Sequence, residues 1–273
     1  MTDGGWTGGA FGSSGTCVLA PNADIMTLDG TNTWVLRDPD STRSIVVDPG
    51  PSIAAHLDAI DAVAGDVGVV LLTHHHADHS EAAREYAERH GCGVRALDPA
   101  HRLGSEGLGD GDVVSYGELE VHVVATPGHT ADSLSFVVPR DRAVLTGDTV
   151  LGRGTTVVAH PDGQLGAYLS SLERLHALCG EQGITSVWPG HGPVIDDALG
   201  ALDFYLAHRQ QRLAQVRGAL RDLHAIAREG GAFPHETLPR EIVEIVYADV
   251  DPVLWGAAEL SVRAQLAYLS PSG

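Results

Sequence analysis

Short apolar runs alternate with polar, glycine-containing turns over the first 196 residues, and the pattern then becomes helical to the end of the chain. Brief runs rich in β-branched and aromatic residues predict strands, and apolar positions spaced at three and four predict helices. The predicted strands cover residues 17–20, 30–36, 44–47, 69–72, 94–97, 112–115, 118–125, 133–138, 142–146 and 184–187. The predicted helices cover residues 52–64, 81–89, 164–178, 197–227, 239–247 and 253–269.

This order of elements predicts sheets covered by helices, a layered α/β architecture. We place a domain boundary near Asp196, so that residues 1–15 form a flexible, loosely packed lead-in, residues 16–196 the main domain and residues 197–273 a helical C-terminal domain. The first C-terminal helix is expected to end at the glycine- and proline-containing segment Gly230–Pro234.

The chain of 273 residues is long enough to bury a sizeable core without disulfide bonds. Cys17, Cys92 and Cys179 are odd in number and far apart, which favours thiols in a reducing compartment. No apolar run approaches the ~20 residues of a membrane span. The N-terminus lacks a basic region followed by an apolar core. We therefore expect a cytoplasmic protein without a membrane partner.

The chain is acidic, with a formal net charge of −19, and all 17 of its basic residues are Arg. Most of this negative charge lies in the first 196 residues. Such a body repels polyanions at long range, and no basic footprint for nucleic acid is visible. Divalent metals would offset the negative charge locally.

The densest group of chemically active residues is Thr73–His79, between an apolar run and a predicted helix. Its potential metal ligands are His74, His76, Asp78 and His79. Side chains alternate along extended backbone, so the first two histidines point the same way and His75 points away from them. The last two ligands lie where the chain turns into the helix, where they can face a second metal. Imidazole and carboxylate groups together suit zinc or a similar first-row ion.

Three further positions each follow a predicted strand in a glycine-containing turn. They are His129 in Thr126–Thr130, Asp148 in Thr146–Thr149 and His191 in Trp188–Pro193. Glycine lets the backbone turn sharply, and loops at strand ends carry sites on a rigid sheet. The complete set of five histidines and two aspartates fits two metals that share one bridging carboxylate, whereas one zinc ion would need three protein ligands and a water.

This ordered set resembles the metallo-β-lactamase superfamily, whose signature is HxHxDH followed by separate His, Asp and His residues. The resemblance covers about residues 16 to 196. It implies an αββα sandwich with two divalent ions, most readily zinc, with manganese or iron as alternatives. The first metal would be held by His74, His76 and His129 and the second by Asp78, His79 and His191, with Asp148 as the bridging carboxylate.

Other segments are similar to the β-lactamase-like protein 2 family. They are Gly30–Thr33, Thr146–Asp148, Gly152–Val157, Pro189–Ile195, His208–Arg212 and Glu241–Tyr247. This closer resemblance implies a small winged-helix-like C-terminal domain and an endoribonuclease acting on single-stranded RNA. The nucleophile would be a metal-bridging hydroxide, which Asp78 would orient while Asp148 sets the metal spacing.

Asp48, at the end of its predicted strand, is our candidate for a carboxylate that supports a ligating histidine, since such imidazoles usually donate their other N–H group. A turn or helix-capping role is the alternative. Asn32, Thr155 and Thr156 could lie near the site or serve the backbone alone.

Other functions remain open. The acidic body, and an end soon after Leu269 where a wing hairpin would be expected, favour a small thioester, ester or lactone as the substrate, as in glyoxalase II-like members. A binding protein on this fold would lack ligands, and none of the seven is missing. The helical C-terminus has two open roles, covering the mouth of the site or pairing with a second subunit in a homo-oligomer.

Overall fold

The computed structural model describes residues 5–228 and 238–270, and it contains two β-sheets. The first sheet consists of β1 (Gly9–Phe11), β2 (Gly15–Leu19), β3 (Asn32–Arg37), β4 (Arg43–Val47), β5 (Asp66–Leu71) and β6 (Gly93–Arg95). These strands follow one another across the sheet in chain order. They are antiparallel from β1 to β4 and parallel from β4 to β6.

The second sheet consists of β7 (Val113–Tyr116), β8 (Leu119–Ala125), β9 (Leu134–Val138), β10 (Ala143–Gly147) and β11 (Ser186–Pro189). Strands β7 to β10 form an antiparallel meander, and β11 joins the edge parallel to β10. Because β10 and β11 are parallel, their carboxyl-terminal ends lie next to each other at the same end of the sheet. The turns that carry Asp148 and His191 therefore start side by side.

The helices are α1 (Ala54–Ala64), α2 (Ala77–Ser80), α3 (Ala83–His90), α4 (Leu165–Gln182), α5 (Ala198–Arg228), α6 (Leu238–Val246) and α7 (Trp255–Leu269). Helices α1 and α3 pack on the first sheet through a cluster that includes Ile60 and Tyr86. Helices α4 and α5 cover the second sheet. A third cluster, in which Trp34 stacks on Trp188 with ring centroids 4.7 Å apart, fills the space between the sheets. The expected αββα sandwich is confirmed.

The C-terminal helices have a core of their own. Val216 on α5, Ile242 on α6 and Val262 on α7 belong to one buried cluster. Residues 238–270 contain α6, α7 and one short 3-10 helix, Pro252–Leu254, and no strand lies in that stretch. The predicted break at 230–234 falls outside the described residues. No helix within the described ranges is long and apolar enough to cross a membrane.

Residues 5–15 differ from the loosely packed lead-in that we expected for residues 1–15. Strand β1 pairs with β2, and Phe11 packs edge-on against Trp34. Trp6 donates its indole N–H to Asn32 Oδ1 at 2.7 Å. This strand is not predicted from the sequence, because the segment is rich in glycine and has no alternating apolar pattern. The aromatic side chains of Trp6 and Phe11 attach the segment to the rest of the domain instead.

Candidate metal centre

The predicted ligands lie in loops that follow strands. The segment His74–His79 follows β5 and enters α2, while the turns with His129, Asp148 and His191 follow β8, β10 and β11. The structure brings all seven residues together in two groups that could each hold a metal ion. Their assignment as metal ligands stays a prediction.

The first group comprises His74, His76, His129 and Asp148. His76 Nδ1 lies 3.1 Å from His74 Nε2 and 3.1 Å from His129 Nε2. The backbone between β5 and α2 is not assigned to a strand, yet His74 and His76 converge as the alternation predicted. Three ring nitrogens that face one point form the donor set that zinc and similar ions prefer.

The second group comprises Asp78, His79 and His191. His79 Nε2 lies 3.2 Å from His191 Nε2, and Asp78 Oδ2 lies 3.1 Å from His191 Nε2. Helix α2 begins at Ala77, so its first turn separates Asp78 and His79 from the two preceding ligands. The change from extended to helical backbone thus directs one short segment into two groups.

Asp148 is shared between the groups. Its Oδ2 lies 3.7 Å from His129 Nε2 and 3.4 Å from His191 Nε2, and its Oδ1 lies 3.4 Å from His79 Nε2. Within the described chain Oδ1 is buried and forms no hydrogen bond. A buried carboxylate oxygen without a hydrogen bond is costly, and a cation beside it would remove that cost. The residues present therefore fit a pair of metals with Asp148 between them.

Three histidines are oriented by acceptors at their outer nitrogens. His79 Nδ1 donates to Asp48 Oδ2 at 2.9 Å, His129 Nδ1 to the Val157 carbonyl at 2.7 Å, and His191 Nδ1 to the Gly30 carbonyl at 3.1 Å. Each bond favours the tautomer whose Nε2 lone pair faces the centre.

Asp48 supports a fourth ring indirectly, through Thr73. Asp48 is 2% exposed and accepts the Thr73 backbone N–H at 2.8 Å and the Thr73 hydroxyl at 2.6 Å. The hydroxyl oxygen lies 3.0 Å from His74 Nδ1 and can accept its proton. Our sequence reasoning missed Thr73, although its place directly before the histidine motif was a usable signal.

Close packing at the centre requires glycine at position 190. A Cβ atom there would lie 2.6 Å from Asp148 Oδ1 and 2.8 Å from His79 Cε1. The same turn is held by Asn32, whose amide donates to the carbonyls of Pro189 and Gly192 at 2.9 and 2.8 Å. Asn32 therefore acts on the site through the backbone that carries His191.

The two groups differ in proton affinity. Burial lowers the pKa of His74 well below its usual range and lowers the pKa of His76 to about 4. Burial alone would also lower the pKa of His79, but the charges of Asp148 and Asp78 outweigh it and raise that pKa well above its usual range. Metals compete with protons for such nitrogens, so a cation in the second group would replace the protons that balance its carboxylates.

His75 is directed elsewhere, as expected. Its Nδ1 lies 2.8 Å from Asp132 Oδ1, and it belongs to neither ligand group. Thr156, in contrast, lies at the site, because its hydroxyl oxygen is 3.2 Å from His129 Nδ1.

A cleft of about 310 Å³ opens beside the ligands. His129 and Asp148 line it together with residues of α5, of α7, of the segment between α6 and α7, and of two loops. The apolar lining residues are Ile25, Met26, Leu28, Leu151, Val157, Val250, Leu254, Ala257 and Ala258, and the polar ones include Arg153, Thr155, Thr156, His208, Arg209, Arg212, Tyr247 and Ser261. Sequence reasoning did not identify Ile25, Met26 or His208, because the cleft forms only where distant segments meet.

The family description "Metallo-beta-lactamase superfamily" matches residues 26–179 of this chain. The chain belongs to the metallo-β-lactamase superfamily. A second description, "Beta-lactamase associated winged helix domain", matches residues 239–273. As a superfamily member, the chain is a metal-dependent hydrolase, and members of the superfamily typically bind two metals. The expected superfamily and C-terminal domain type are confirmed.

Three curated relatives illustrate the range of similar proteins. The Drosophila melanogaster "Beta-lactamase-like protein 2 homolog" is 30% identical, over 94% of this chain and 87% of its own length. "Lactamase-like protein aptB" from Emericella nidulans is 33% identical, over 89% and 80%. The "Atrochrysone carboxyl ACP thioesterase" of Aspergillus fumigatus is 31% identical, over 84% and 72%.

Solved structures share the fold. A "Beta-lactamase domain protein" from Burkholderia ambifaria aligns over 96% of this chain and 88% of its own, with a TM-score of 0.75 and 23% identity. The protein TTHA1623, solved "in a di-iron-bound form", aligns over 70% and 97%, with a TM-score of 0.54 and 24% identity.

Proposed function

We propose that this chain hydrolyses a small thioester or ester in the cleft beside its metal centre. The observation that carries the proposal is the mixed lining of this cleft, in which aliphatic side chains from the 21–29 loop and from α7 line the same space as His129 and Asp148. Ligand sites are typically concave and apolar with a few placed polar groups. A substrate with an apolar acyl group fits such a lining.

Two of the apolar side chains that line the cleft are partly exposed to solvent. Ile25 and Met26 are each 47% exposed and line the cleft. Arg153, which also lines the cleft, forms an ion pair with Asp29 that ties the 21–29 loop to the 152–157 loop. An acyl group in the cleft would bury the exposed surface of Ile25 and Met26, which favours binding by the hydrophobic effect.

Two divalent ions, zinc being our first expectation, would polarise the scissile carbonyl and activate water when bound at the centre. The protein's own residues arrange that chemistry. Asp148 sits between the two groups, and Asp48 and Thr73 keep the inner nitrogens aimed at the centre. Asp78 Oδ2 lies 3.4 Å from the Thr31 hydroxyl, which can donate to it. No serine or cysteine nucleophile is needed.

Two further facts support a thioester. One relative of this chain carries the name of an acyl-carrier thioesterase. The net charge of −19 disfavours the long-range attraction of a polyanion.

RNA cleavage is the second candidate. It is favoured by the similarity to β-lactamase-like protein 2 homologues over 94% of the chain and by three arginines at the cleft, Arg153, Arg209 and Arg212. A sequence-tolerant RNA site usually provides a continuous basic groove with aromatic stacking platforms. Among the residues that line this cleft, the one Phe, Tyr or Trp is Tyr247, and Arg212 already lies over its ring.

The test compares metal-loaded protein on butyryl-pantetheine, S-lactoylglutathione and a labelled single-stranded RNA, after the metals per chain have been counted by elemental analysis. We expect about two metals per chain, thioester turnover and intact RNA. His74→Ala, which removes one ligand of the first group, provides the background rate. RNA cleavage that is absent in His74→Ala, with inert thioesters, would replace the thioesterase proposal with the nuclease.

A further inference from the structure

We propose that Arg209 and Arg212 form an anion-binding subsite on the α5 wall of the cleft, where they hold a carboxylate or phosphate group of the substrate. The inference rests on the proposed function for the identity of the substrate, but the subsite can be tested apart from turnover. Both residues line the cleft. They are three positions apart on α5, so they lie on the same face of that helix.

Arg209 is held rigidly. Its side chain is 6% exposed, its Nη2 donates to the Thr156 carbonyl at 2.5 Å, and its guanidinium carbon lies 4.9 Å from the centroid of the Tyr168 ring. Its Nε–H is buried and has no hydrogen-bond partner in the described chain. A donor in such a position can be satisfied by a ligand atom at low entropic cost.

Arg212 is arranged in a parallel manner. Its Nη1 donates to the Val246 carbonyl at 2.8 Å and to Gln215 Oε1 at 3.2 Å, and its guanidinium carbon lies 4.6 Å from the centroid of the Tyr247 ring. Each guanidinium thus uses hydrogen bonds from one Nη atom and one aromatic face to fix its plane. A guanidinium fixed in this way presents its remaining N–H groups in the fork that binds carboxylate and phosphate oxygens.

Neither guanidinium forms an ion pair within the described part of the chain. Arg153 and Arg174 pair with Asp29 and Asp110, whereas no described carboxylate lies within 4.0 Å of Arg209 or Arg212. Arg209 is buried and Arg212 is half-buried, and leaving a charge unpaired away from water is unfavourable. An anionic group of the substrate would therefore form hydrogen bonds with the guanidinium groups and would also remove the cost of their unpaired charge.

His208 adds a neutral donor beside the pair. Burial, followed by the charges of Arg209 and Arg212, lowers the pKa of His208 to about 4. Its Nδ1 is buried and has no hydrogen-bond partner in the described residues. A neutral imidazole at this wall can donate to an anion without adding charge of its own.

The subsite lies close to the metal centre. The carbonyl of Thr156 accepts from Arg209, while the hydroxyl of the same residue is 3.2 Å from His129 Nδ1. One small molecule can therefore contact both places. The anion could belong to the acyl half of a thioester, as a terminal carboxylate, or to the thiol half, as a phosphate; the recognition chemistry is the same.

The test measures kcat and KM for three thioesters of similar size: butyryl-pantetheine, which is neutral, succinyl-pantetheine, with the anion on the acyl half, and butyryl-phosphopantetheine, with the anion on the thiol half. The variants are Arg212→Gln and, as a control on an exposed position of the same helix, Arg217→Gln. Arg209→Lys, which keeps the charge but loses the fork, is a second variant.

We expect Arg212→Gln to raise KM about 10-fold or more for one anionic thioester with little change in kcat. Both arginine variants should raise KM more for that anionic thioester than for the neutral one, and Arg217→Gln should match the unaltered protein on all three. The substrate that responds identifies the half that carries the anion. Equal effects of Arg212→Gln on neutral and anionic thioesters, or none on any, would overturn the subsite.

Binding of inorganic phosphate separates this inference from the proposed function. If no thioester is turned over, the proposed function fails, and calorimetric titration with phosphate decides the subsite alone. Weaker phosphate binding in Arg212→Gln than in Arg217→Gln, at equal metal content, supports it. Equal affinities in the two variants refute it.

Discussion

At the scale of single residues, the centre depends on groups that never face its interior. Asp48 has a backbone φ of 51°, a left-handed conformation that Asp and Asn tolerate better than most residues. From that position one carboxylate accepts hydrogen bonds from His79 Nδ1, from the Thr73 hydroxyl and from the Thr73 backbone N–H. One buried charge thereby fixes the rings of both His79 and, through Thr73, His74.

We predict that Asp48→Asn weakens metal binding about 10- to 100-fold. Asparagine keeps the backbone conformation, but its NH₂ group would face a donor, because both carboxylate oxygens of Asp48 accept hydrogen bonds. Metal affinity by competition with a chelator is the measurement. Asp203→Asn removes an exposed carboxylate that also contacts a histidine, His176 at 3.1 Å, and serves as the control. Unchanged affinity in Asp48→Asn would show that the ring orientations do not need the charge.

At the scale of elements, the turn that carries His129 is packed directly against α4. Gly128 has φ +139°, and a Cβ atom there would lie 2.3 Å from Tyr168 Cα, on the helix backbone. The Gly128 carbonyl accepts the Gln164 N–H at 3.0 Å, where α4 begins. The helix therefore positions the ligand turn through backbone contact and not only through its apolar face.

We predict that Gly128→Ala lowers the free energy of unfolding by about 2 kcal/mol or more, because a methyl group would have to displace helix backbone. For a chain of this size that corresponds to a fall in Tm of roughly 5 °C. Gly9→Ala is a matched control, since Gly9 has a similar φ of +132°, but a Cβ atom there would have no described atom within 4 Å. Equal losses in the two variants would assign the effect to φ strain and not to the contact with α4.

At the scale of the whole molecule, α5 belongs to both cores. Its first half contributes Leu202 and Tyr205 to the cluster over the second sheet, and its second half contributes Val216 to the C-terminal cluster. The Tyr205 hydroxyl also accepts the backbone N–H of Leu151, which lines the cleft, at 2.8 Å. The boundary that we predicted near Asp196 thus lies where the chain enters a helix that completes the core of the preceding domain.

We predict that a chain ending at Asp196 is much less stable than the full chain. Losing α5 would expose the outer surface of α4, and each large apolar side chain left uncovered costs about 1.5–3 kcal/mol. Soluble yield and Tm are the measurements, with the full chain as reference and an expected fall in Tm of at least about 10 °C. A shortened chain with the same Tm and metal content would show that residues 16–196 fold independently.

Much of the fold could be predicted because its patterns are local. Helices α4 to α7 and most strands lie within a few residues of the predicted ranges, since side-chain periodicity acts over one or two turns. The strand after α4 lies at Ser186–Pro189 instead of 184–187, because the Ile184 N–H still donates to the Cys179 carbonyl of α4 at 3.0 Å. Strand β1 escaped notice because its contacts are with distant aromatic residues.

The sequence by itself determined which residue types meet at the centre. The spacing of His74, His76, Asp78 and His79 and the glycine turns around the later ligands specify a donor set, because coordination chemistry depends on side-chain identity. Only the tertiary structure decided the rest: the support of His74 through Thr73 and the cleft with Arg209 and Arg212. Those features depend on contacts between residues tens to more than a hundred positions apart, and such contacts exist only when both sheets and α5 are packed together.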